Sequence, residues 1–207
     1  MNTCKPIITL SCCLLMACAP IKKPDDMALH QPYTPTSPVE ATVQAPVSDV
    51  SQLTSWNMSG AIAARNQRQS WTATLNWRQK GPESYQIRLM GPLGGGSVVI
   101  EKQNGIITFR DGPKTISSKD VDQLMFKQTG VRLPVSHLYY WVRGIKAPGK
   151  TSSKQVVSAQ RVSHLNQDGY TILYSQYMKV RDLILPSKIK LEGHGVVIKL
   201  VIKQWNF

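Results

Sequence analysis

The feature that most constrains this fold is a strict alternation of apolar and polar residues from position 71 to position 78. The segment reads Trp71-Thr72-Ala73-Thr74-Leu75-Asn76-Trp77-Arg78, which has the period of a β-strand with one dry and one wet face. Tyr85, Ile87 and Leu89 repeat the pattern after a Gly81-Pro82 turn. These two runs therefore predict an antiparallel hairpin.

Similar segments extend the predicted sheet in both directions along the chain. Asn104-Gly105, Asp168-Gly169 and Gly193-His194-Gly195 supply turns between them. Because links of hairpin length leave no room for crossover helices, we expect every pairing to be antiparallel. The further predicted strands are 56–64, 97–101, 106–110, 156–165, 170–176, 187–191 and 196–205.

Two short helices are predicted between the two runs of strands. Ser117-Ser118, ahead of Lys119-Asp120, can cap the first, and Gly130 would end it. The second opens at residues 133–136 and stops at Gly144, before a loop at 144–154. Apolar residues at helical spacing are Val121, Leu124 and Met125 in the first and Leu138, Trp141 and Val142 in the second. The fold class is mainly β: a curved sheet or incomplete barrel whose concave apolar face the helices cover.

The N-terminus carries the pattern Leu15-Met16-Ala17-Cys18 at the end of a short apolar run that follows Lys5. This is the pattern of a lipoprotein signal peptide over residues 1–17, with Cys18 as the acylated first residue of the mature chain. The run is shorter than the roughly 20 residues that a membrane-spanning helix needs. The alternative is an ordinary secretory signal that is cleaved nearby.

Residues 18–50 are predicted to be a tether, because prolines punctuate them without apolar periodicity. Residues 51–207 are long enough for one domain with its own core. The other cysteines are Cys4, Cys12 and Cys13, which would leave with the signal peptide. The folded domain then has no disulfide, thiol nucleophile or thiolate metal site.

The predicted domain is strongly basic, with 22 Lys and Arg against 8 Asp and Glu from residue 51 onward. Such a charge often marks a nucleic-acid-binding protein. For an exported, lipid-anchored chain we expect anionic lipid headgroups to be the partner instead, and no nucleic acid. A solvated surface that only keeps the protein soluble is the alternative.

Residues 144–151 match the phosphate-loop pattern G-x-x-x-x-G-K-[ST]. That mechanism needs a buried strand before the loop and a helix after it. Here Pro148 removes an amide donor and Ser152-Ser153-Lys154 lack helical periodicity. We therefore expect a flexible basic loop and no nucleotide.

No motif predicts catalysis or a cofactor. The histidines are His30, His137, His164 and His194, and none has the spacing of a metal-binding helix. Asp120 and Asp122 lack an apolar context that would suit acid–base work. We expect neither an enzyme nor a metal site.

An unusual loop follows residue 89. It places Leu93 between Pro92 and Gly94, with Gly91 before them and Gly95-Gly96 after. Leu93 either folds back into the core or projects as an apolar tip, since glycine and proline form protruding turns.

In combination these residues make the chain similar to the LolB family of outer-membrane lipoprotein receptors. The resemblance covers the Leu15-Met16-Ala17-Cys18 pattern and essentially the whole domain from Trp56 to Trp205. Its markers are Trp56 with residues 60–63, Leu75-Asn76-Trp77, Gly91-Pro92-Leu93-Gly94, residues 130–135 and 138–144, Lys199-Leu200 and Trp205.

The resemblance implies an unclosed antiparallel half-barrel with a helical lid over a hydrophobic cavity. It implies a monomer, anchored by the acylated Cys18 in the outer membrane and facing the periplasm, that takes lipoprotein acyl chains from a LolA-like carrier. Leu93, with Pro92 and Gly94, would put the cargo into outer-membrane lipids. A structural envelope lipoprotein with a solid core is the alternative. Candidate cavity residues are Trp71, Leu75, Trp77, Tyr85, Ile87, Leu89 and Trp141.

Overall fold

A computed structural model of the chain describes residues 49–92, 95–131, 133–149, 151–158 and 161–207. Cys18, the predicted signal peptide and most of the predicted tether lie outside these residues, as do His30, Leu93, Gly94 and Lys150. The described residues belong to one compact unit, Gln44–Phe207. Its buried apolar cluster runs from Leu53 to Trp205, so this unit carries its own core.

The strands follow one another as hairpins, apart from one helical insertion. A short turn of 3-10 helix, Val50–Gln52, precedes the first strand. The helices α1 (Val121–Thr129) and α2 (Val135–Trp141) stand between the sixth and seventh strands. The strands are β1 (Trp56–Arg65), β2 (Ser70–Lys80), β3 (Ser84–Met90), β4 (Ser97–Gln103), β5 (Ile106–Asp111), β6 (Lys114–Ser118), β7 (Thr151–Ser158), β8 (Arg161–Gln167), β9 (Tyr170–Val180), β10 (Leu183–Gly193) and β11 (Val196–Asn206).

The eleven strands of the described residues form one sheet in the order β6-β5-β4-β3-β2-β1-β11-β10-β9-β8-β7. Every neighbouring pair is antiparallel. The first and last strands meet in the middle, and β6 and β7 are the two edges, so the sheet is not closed into a barrel. The predicted fold class is confirmed: the part of the chain that the structure describes is mainly β, antiparallel and unclosed, with two α-helices.

Alternating burial gives the sheet an inward and an outward face. In β2, Leu75, Trp77 and Gln79 are buried while the residues between them are exposed. The apolar residues of α1 and α2 belong to the same buried cluster as the inward residues of the strands. The helices therefore cover the inward face, as the sequence predicted.

Three local predictions were wrong. The predicted strand 156–165 is two strands, β7 and β8, and the predicted loop 144–154 ends where β7 begins at Thr151. Ser117 and Ser118 do not cap α1, because they lie in β6, an edge strand whose single apolar residue, Ile116, gives little periodicity. Asp120 is the cap, and its carboxylate accepts a hydrogen bond from the Gln123 N–H at 2.9 Å.

Candidate functional site

The inward face of the β2–β3 hairpin carries most of the predicted cavity residues. Leu75 lies opposite Leu89 and Trp77 lies opposite Ile87 in the antiparallel register. The next inward pair joins Gln79 to Tyr85. Trp71 stands on the same face of β2 but is only half-buried. The structure therefore brings these predicted residues together on one surface of the sheet.

A tryptophan cluster fills the middle of this face. The Trp56 ring lies 4.9 Å from the Trp77 ring and 5.1 Å from the Trp205 ring, measured between ring centroids. Trp77 also donates a hydrogen bond from Nε1 to the Gln79 side chain at 2.8 Å. These contacts hold β1, β2 and β11 in a packed layer.

Trp141 has a different environment from the other predicted cavity residues. It is fully buried at the end of α2, and its Nε1 donates a hydrogen bond to Gln167 Oε1 at 2.9 Å. Gln167 also accepts from the Ala147 N–H and donates to the Ala147 carbonyl. Tyr174 donates to the Trp141 carbonyl at 3.0 Å. Trp141 thus anchors the C-terminal end of α2 to β8 and β9.

A cleft of about 600 Å3 opens between the beginnings of the two helices and the sheet. Trp77, Tyr85 and Ile107 line it from the strands, and Val121 and Val135 line it from the helices. Its rim carries charges of both signs, from Lys102, Lys119, Glu83, Asp120 and Asp122.

Tyr85 brings a polar group to this cleft. The residue is 8% exposed, and its buried hydroxyl has no hydrogen-bond partner. Burial raises the pKa of the Tyr85 hydroxyl, and the negative charges of Asp122 and Glu83 raise this pKa further. The hydroxyl is therefore a neutral donor with an unused hydrogen bond.

A second cleft, of about 410 Å3, lies beside the glycine-rich loop. Trp71, Leu89 and Val98 line it from the strands, Pro92 from the loop, and Thr129 from the last residue of α1. The first cleft touches the start of α1 and the second touches its end. Leu75, Ile87 and Trp141 line neither of these two clefts.

Two side chains hold the C-terminal end of α1 to the β1–β2 turn. Asn66 donates a hydrogen bond from Nδ2 to the Gly130 carbonyl at 2.9 Å. Gln69 donates from Nε2 to the Thr129 carbonyl at 2.5 Å. We call these two contacts the α1 clasp. Both are exposed to solvent, so each contributes little to stability.

The glycine-rich loop is closed by its own backbone. Gly91 N–H donates to the Gly96 carbonyl and Gly95 N–H donates to the Pro92 carbonyl, both at 3.1 Å. A Cβ on Gly91 would stand 2.4 Å from the Gly95 carbonyl oxygen, closer than real Cβ contacts allow. Glycine at position 91 therefore permits this tight closure.

Comparison with known proteins assigns the family. A family model described as outer membrane lipoprotein LolB matches residues 54–205. The chain belongs to the LolB family. The outer-membrane lipoprotein LolB of Stutzerimonas stutzeri is 36% identical over 160 residues, which is 77% of each chain. That of Nitrosococcus oceani is 33% identical over 203 residues, covering 97% of this chain and 96% of the relative.

Solved structures with a similar fold are much more distant from this LolB-family chain. A LolA superfamily protein from Nitrosomonas europaea superposes with a TM-score of 0.48 at 12% identity, covering 75% of this chain and 87% of the other. A lipoprotein-sorting protein domain from Vibrio parahaemolyticus gives a TM-score of 0.49 at 8% identity, covering 74% and 85%. These likenesses assign no residue a role.

The phosphate-loop pattern has the wrong surroundings for nucleotide binding in this LolB-family chain. Gly144 follows helix α2, and strand β7 begins at Thr151. A phosphate loop needs the reverse order, in which a strand leads in and a helix leads out. Residues 144–151 join helix α2 to the edge strand β7.

The acidic and imidazole side chains have structural contacts. Asp120 caps α1, and Asp122 accepts hydrogen bonds at the start of α2. His137 stacks on Trp141 with its Nδ1 3.3 Å from Asp168, and His194 Nε2 lies 2.9 Å from the Asp168 carbonyl. Within the described ranges no group of His, Cys, Asp or Glu could hold a metal ion, and no helix there could span a membrane.

Sequence reasoning missed the role of Arg143 in this LolB-family fold. The residue is 3% exposed, and its guanidinium lies over the Tyr139 ring at 4.0 Å. It donates hydrogen bonds to the carbonyls of Tyr139 and Leu53. Burial lowers the pKa of Arg143. The signal that sequence reasoning could have used is an arginine two residues after a short helix rich in aromatic residues.

Proposed function

We propose that this protein receives the acyl chains of lipoproteins on the inward face of its sheet and delivers them to the outer membrane. The observation that carries the proposal is α1, a short helix that separates two clefts over one apolar face. Membership of a family of outer-membrane lipoproteins supports it. The chain itself would be held at the membrane by an acylated Cys18.

The energetics favour a receptor without catalysis. Exposing acyl chains to water costs about 0.8 kcal/mol per CH2 group, so bare cargo cannot cross the periplasm. Transfer from a LolA-like periplasmic carrier to this face, and then to the bilayer, exchanges one apolar environment for another. Differences in affinity would drive each step, and neither nucleotide nor cofactor is needed.

Helix α1 is the proposed lid. Its start borders the first cleft and its end borders the second. The exposed α1 clasp and a hydrogen bond from Lys114 to Gln128 tie the C-terminal half of α1 to the strands. Helix α2 is anchored more firmly, through the buried Trp141 and Arg143. Displacing α1 would join the two clefts along Trp71, Leu75, Trp77, Tyr85, Ile87 and Leu89.

Release of cargo is the proposed task of Leu93. Pro92 borders the second cleft, and Gly91 and Gly96 close the base of the loop. The apolar side chain that follows Pro92 in the sequence could enter the bilayer and offer the acyl chains an apolar path. Pro92 and Gly94 would keep the loop short enough to present Leu93.

Titration with a fluorescent fatty acid tests the proposal. The unacylated chain should bind the probe saturably. The double variant Asn66→Ala with Gln69→Ala removes the α1 clasp. It should increase the rate at which the probe is taken up about tenfold, because the two exposed hydrogen bonds together contribute roughly 1.4 kcal/mol. Lys190→Ala is the matched control, since it removes an exposed bond to Glu192 that is remote from α1.

The two outcomes of the titration separate the proposal from its alternative. Absence of saturable binding would favour the alternative, a structural envelope lipoprotein with a solid core. The full burial of Ile100, Met125 and Trp141 is consistent with such a core. If binding is saturable but the clasp variant takes up the probe at an unchanged rate, the protein is a receptor whose lid is not α1.

A further inference from the structure

The outward face of the sheet carries a groove of about 520 Å3 across β3, β2, β1 and β11. Its polar side chains alternate with the inward residues of the same strands, of which Met58 and Trp77 also border it. It therefore lies on the opposite side of the sheet from α1 and α2. The proposed acyl site does not use it.

One row of polar side chains crosses all four strands in this groove. Gln86 lies opposite Arg78, Arg78 lies opposite Asn57, and Asn57 lies opposite Asn206. Side chains directly opposite each other in antiparallel strands are within reach of one another. The row thus offers one guanidinium and three amides along a single line.

A second row runs parallel to the first. Arg88 lies opposite Asn76, Asn76 lies opposite Ser59, and Ser59 lies opposite Gln204. Short Ser59 on β1 makes a low floor, whereas the longer Arg88 and Gln204 stand at the two sides. This difference in side-chain length explains why an outward sheet face has a groove.

The groove is positively charged and has no acidic lining residue. Arg78 and Arg88 are diagonal neighbours, because Arg78 opposes Gln86. Among the described side chains neither arginine has a hydrogen-bond or ion-pair partner. Arg110 on β5, by contrast, is paired with Glu101 at 2.9 Å. Two unpaired guanidiniums with amide donors between them match the oxygens of a phosphate group.

A β-bulge adds to this charge. The register of β11 shifts opposite Ser59 and Gly60, so that Lys203 and Gln204 are both exposed. The groove also lies where the N-terminal segment enters the sheet, since Asn57 is the second residue of β1. In a family of outer-membrane lipoproteins, this segment leads towards the anchored end of the chain.

We propose that this groove binds the phosphate and hydroxyl groups of an anionic phospholipid headgroup, so that the outward face of the sheet docks on the membrane surface. Charge complementarity and the position beside the entering chain carry the proposal. Arg78 and Arg88 hold the phosphate, while Asn57, Ser59 and Asn76 bind headgroup hydroxyls.

Vesicle flotation of the unacylated chain, residues 18–207 with Cys18→Ser, tests the proposal. Compact folding of Gln44–Phe207 as its own unit supports the use of this chain. It should bind vesicles that contain phosphatidylglycerol and not vesicles of phosphatidylcholine alone. Arg78→Gln with Arg88→Gln should weaken binding about 30-fold, since each basic residue next to such a surface contributes roughly 1 kcal/mol.

Arg68→Gln with Lys146→Gln is the matched control, because it removes the same charge from two exposed loop positions outside the groove. We expect this pair of substitutions to weaken vesicle binding at most about twofold, since charges more than roughly 10 Å from the membrane surface are screened. Equal losses of vesicle-binding affinity in the two double variants would overturn the proposal. So would arginine-dependent binding of glycerol phosphate without vesicle binding, which would assign the groove to a soluble ligand. Fatty-acid binding should be unchanged in either pair.

Discussion

Asp122 in α1 accepts a hydrogen bond from the backbone N–H of Val135, the first residue of α2, at 3.1 Å. It also accepts from the Ser136 hydroxyl at 3.1 Å. Pro134, at the position before the helix, makes no side-chain cap, so the cap of α2 comes from the other helix. Asp122→Ala should lower the free energy of unfolding by about 1 kcal/mol, and Asp122→Asn by less, as measured in urea.

The stability contributed by Asp122 should depend on pH. The expectation that Asp122 lacks surroundings that would raise its pKa was wrong: burial against the start of α2 raises the pKa of this carboxyl, and hydrogen bonds from Ser136 and Val135 and the proximity of His137 oppose the shift only in part. The folded state therefore binds the proton more tightly than the unfolded state, and stability falls as pH rises from about 4 through the folded pKa. The difference in free energy of unfolding between wild type and Asp122→Asn should fall with pH in the same way. A difference that is flat or rises with pH would contradict it.

Gly60 should not tolerate a side chain. A Cβ at this position would stand 2.0 Å from the Val201 carbonyl oxygen, in the backbone of the partner strand beside the β11 bulge. Gly60→Ala must push β1 away from β11, and overpacking of this kind costs about 1–3 kcal/mol. Thermal unfolding should show a lower midpoint. Ala61→Ser, on the outward face of the adjacent position, is the control and should change it little.

Arg143 should be important for stability although it carries a charge. Arg143→Met removes the hydrogen bonds to Tyr139 and Leu53 but keeps much of the buried volume. Hydrogen bonds to charged groups contribute about 1.5–3 kcal/mol each, so unfolding in urea should show a loss in this range or above. Arg110→Met removes only a partly exposed pair with Glu101 and should lose about 1 kcal/mol at most. Similar losses in the two variants would contradict the role of burial.

Leu93→Glu should separate the receipt of cargo from its delivery. The charged side chain cannot enter the bilayer, whereas the proposed acyl site beneath α1 is unchanged. We expect the variant to accept cargo from the carrier and to fail to release it into liposomes. Ile106→Glu, at an exposed apolar position of another hairpin, should deliver normally. Normal delivery by Leu93→Glu would show that the loop leucine is dispensable.

Much of the local structure could be predicted because its causes are local. Asn104-Gly105 adopts positive φ angles of 52° and 74° and closes the β4–β5 hairpin as expected. Gly130 ends α1 in the left-handed conformation. By contrast, the β9–β10 turn at Arg181, with φ of 52°, has no glycine to mark it. Arginine rarely adopts this conformation, so the surrounding strands must impose it.

The sequence by itself determined the antiparallel hairpins, the places of the two helices and the inward face of β2 and β3, because these follow from period, turns and caps between near neighbours. Only the tertiary structure decided that β1 pairs with β11, that Asp122 caps another helix, and that Arg143 reaches Leu53 across 90 positions. The tertiary structure likewise decided which polar residues line up in the two rows of the outward groove. Contacts between distant segments depend on strand order and register, and residue spacing along the chain carries no direct record of either.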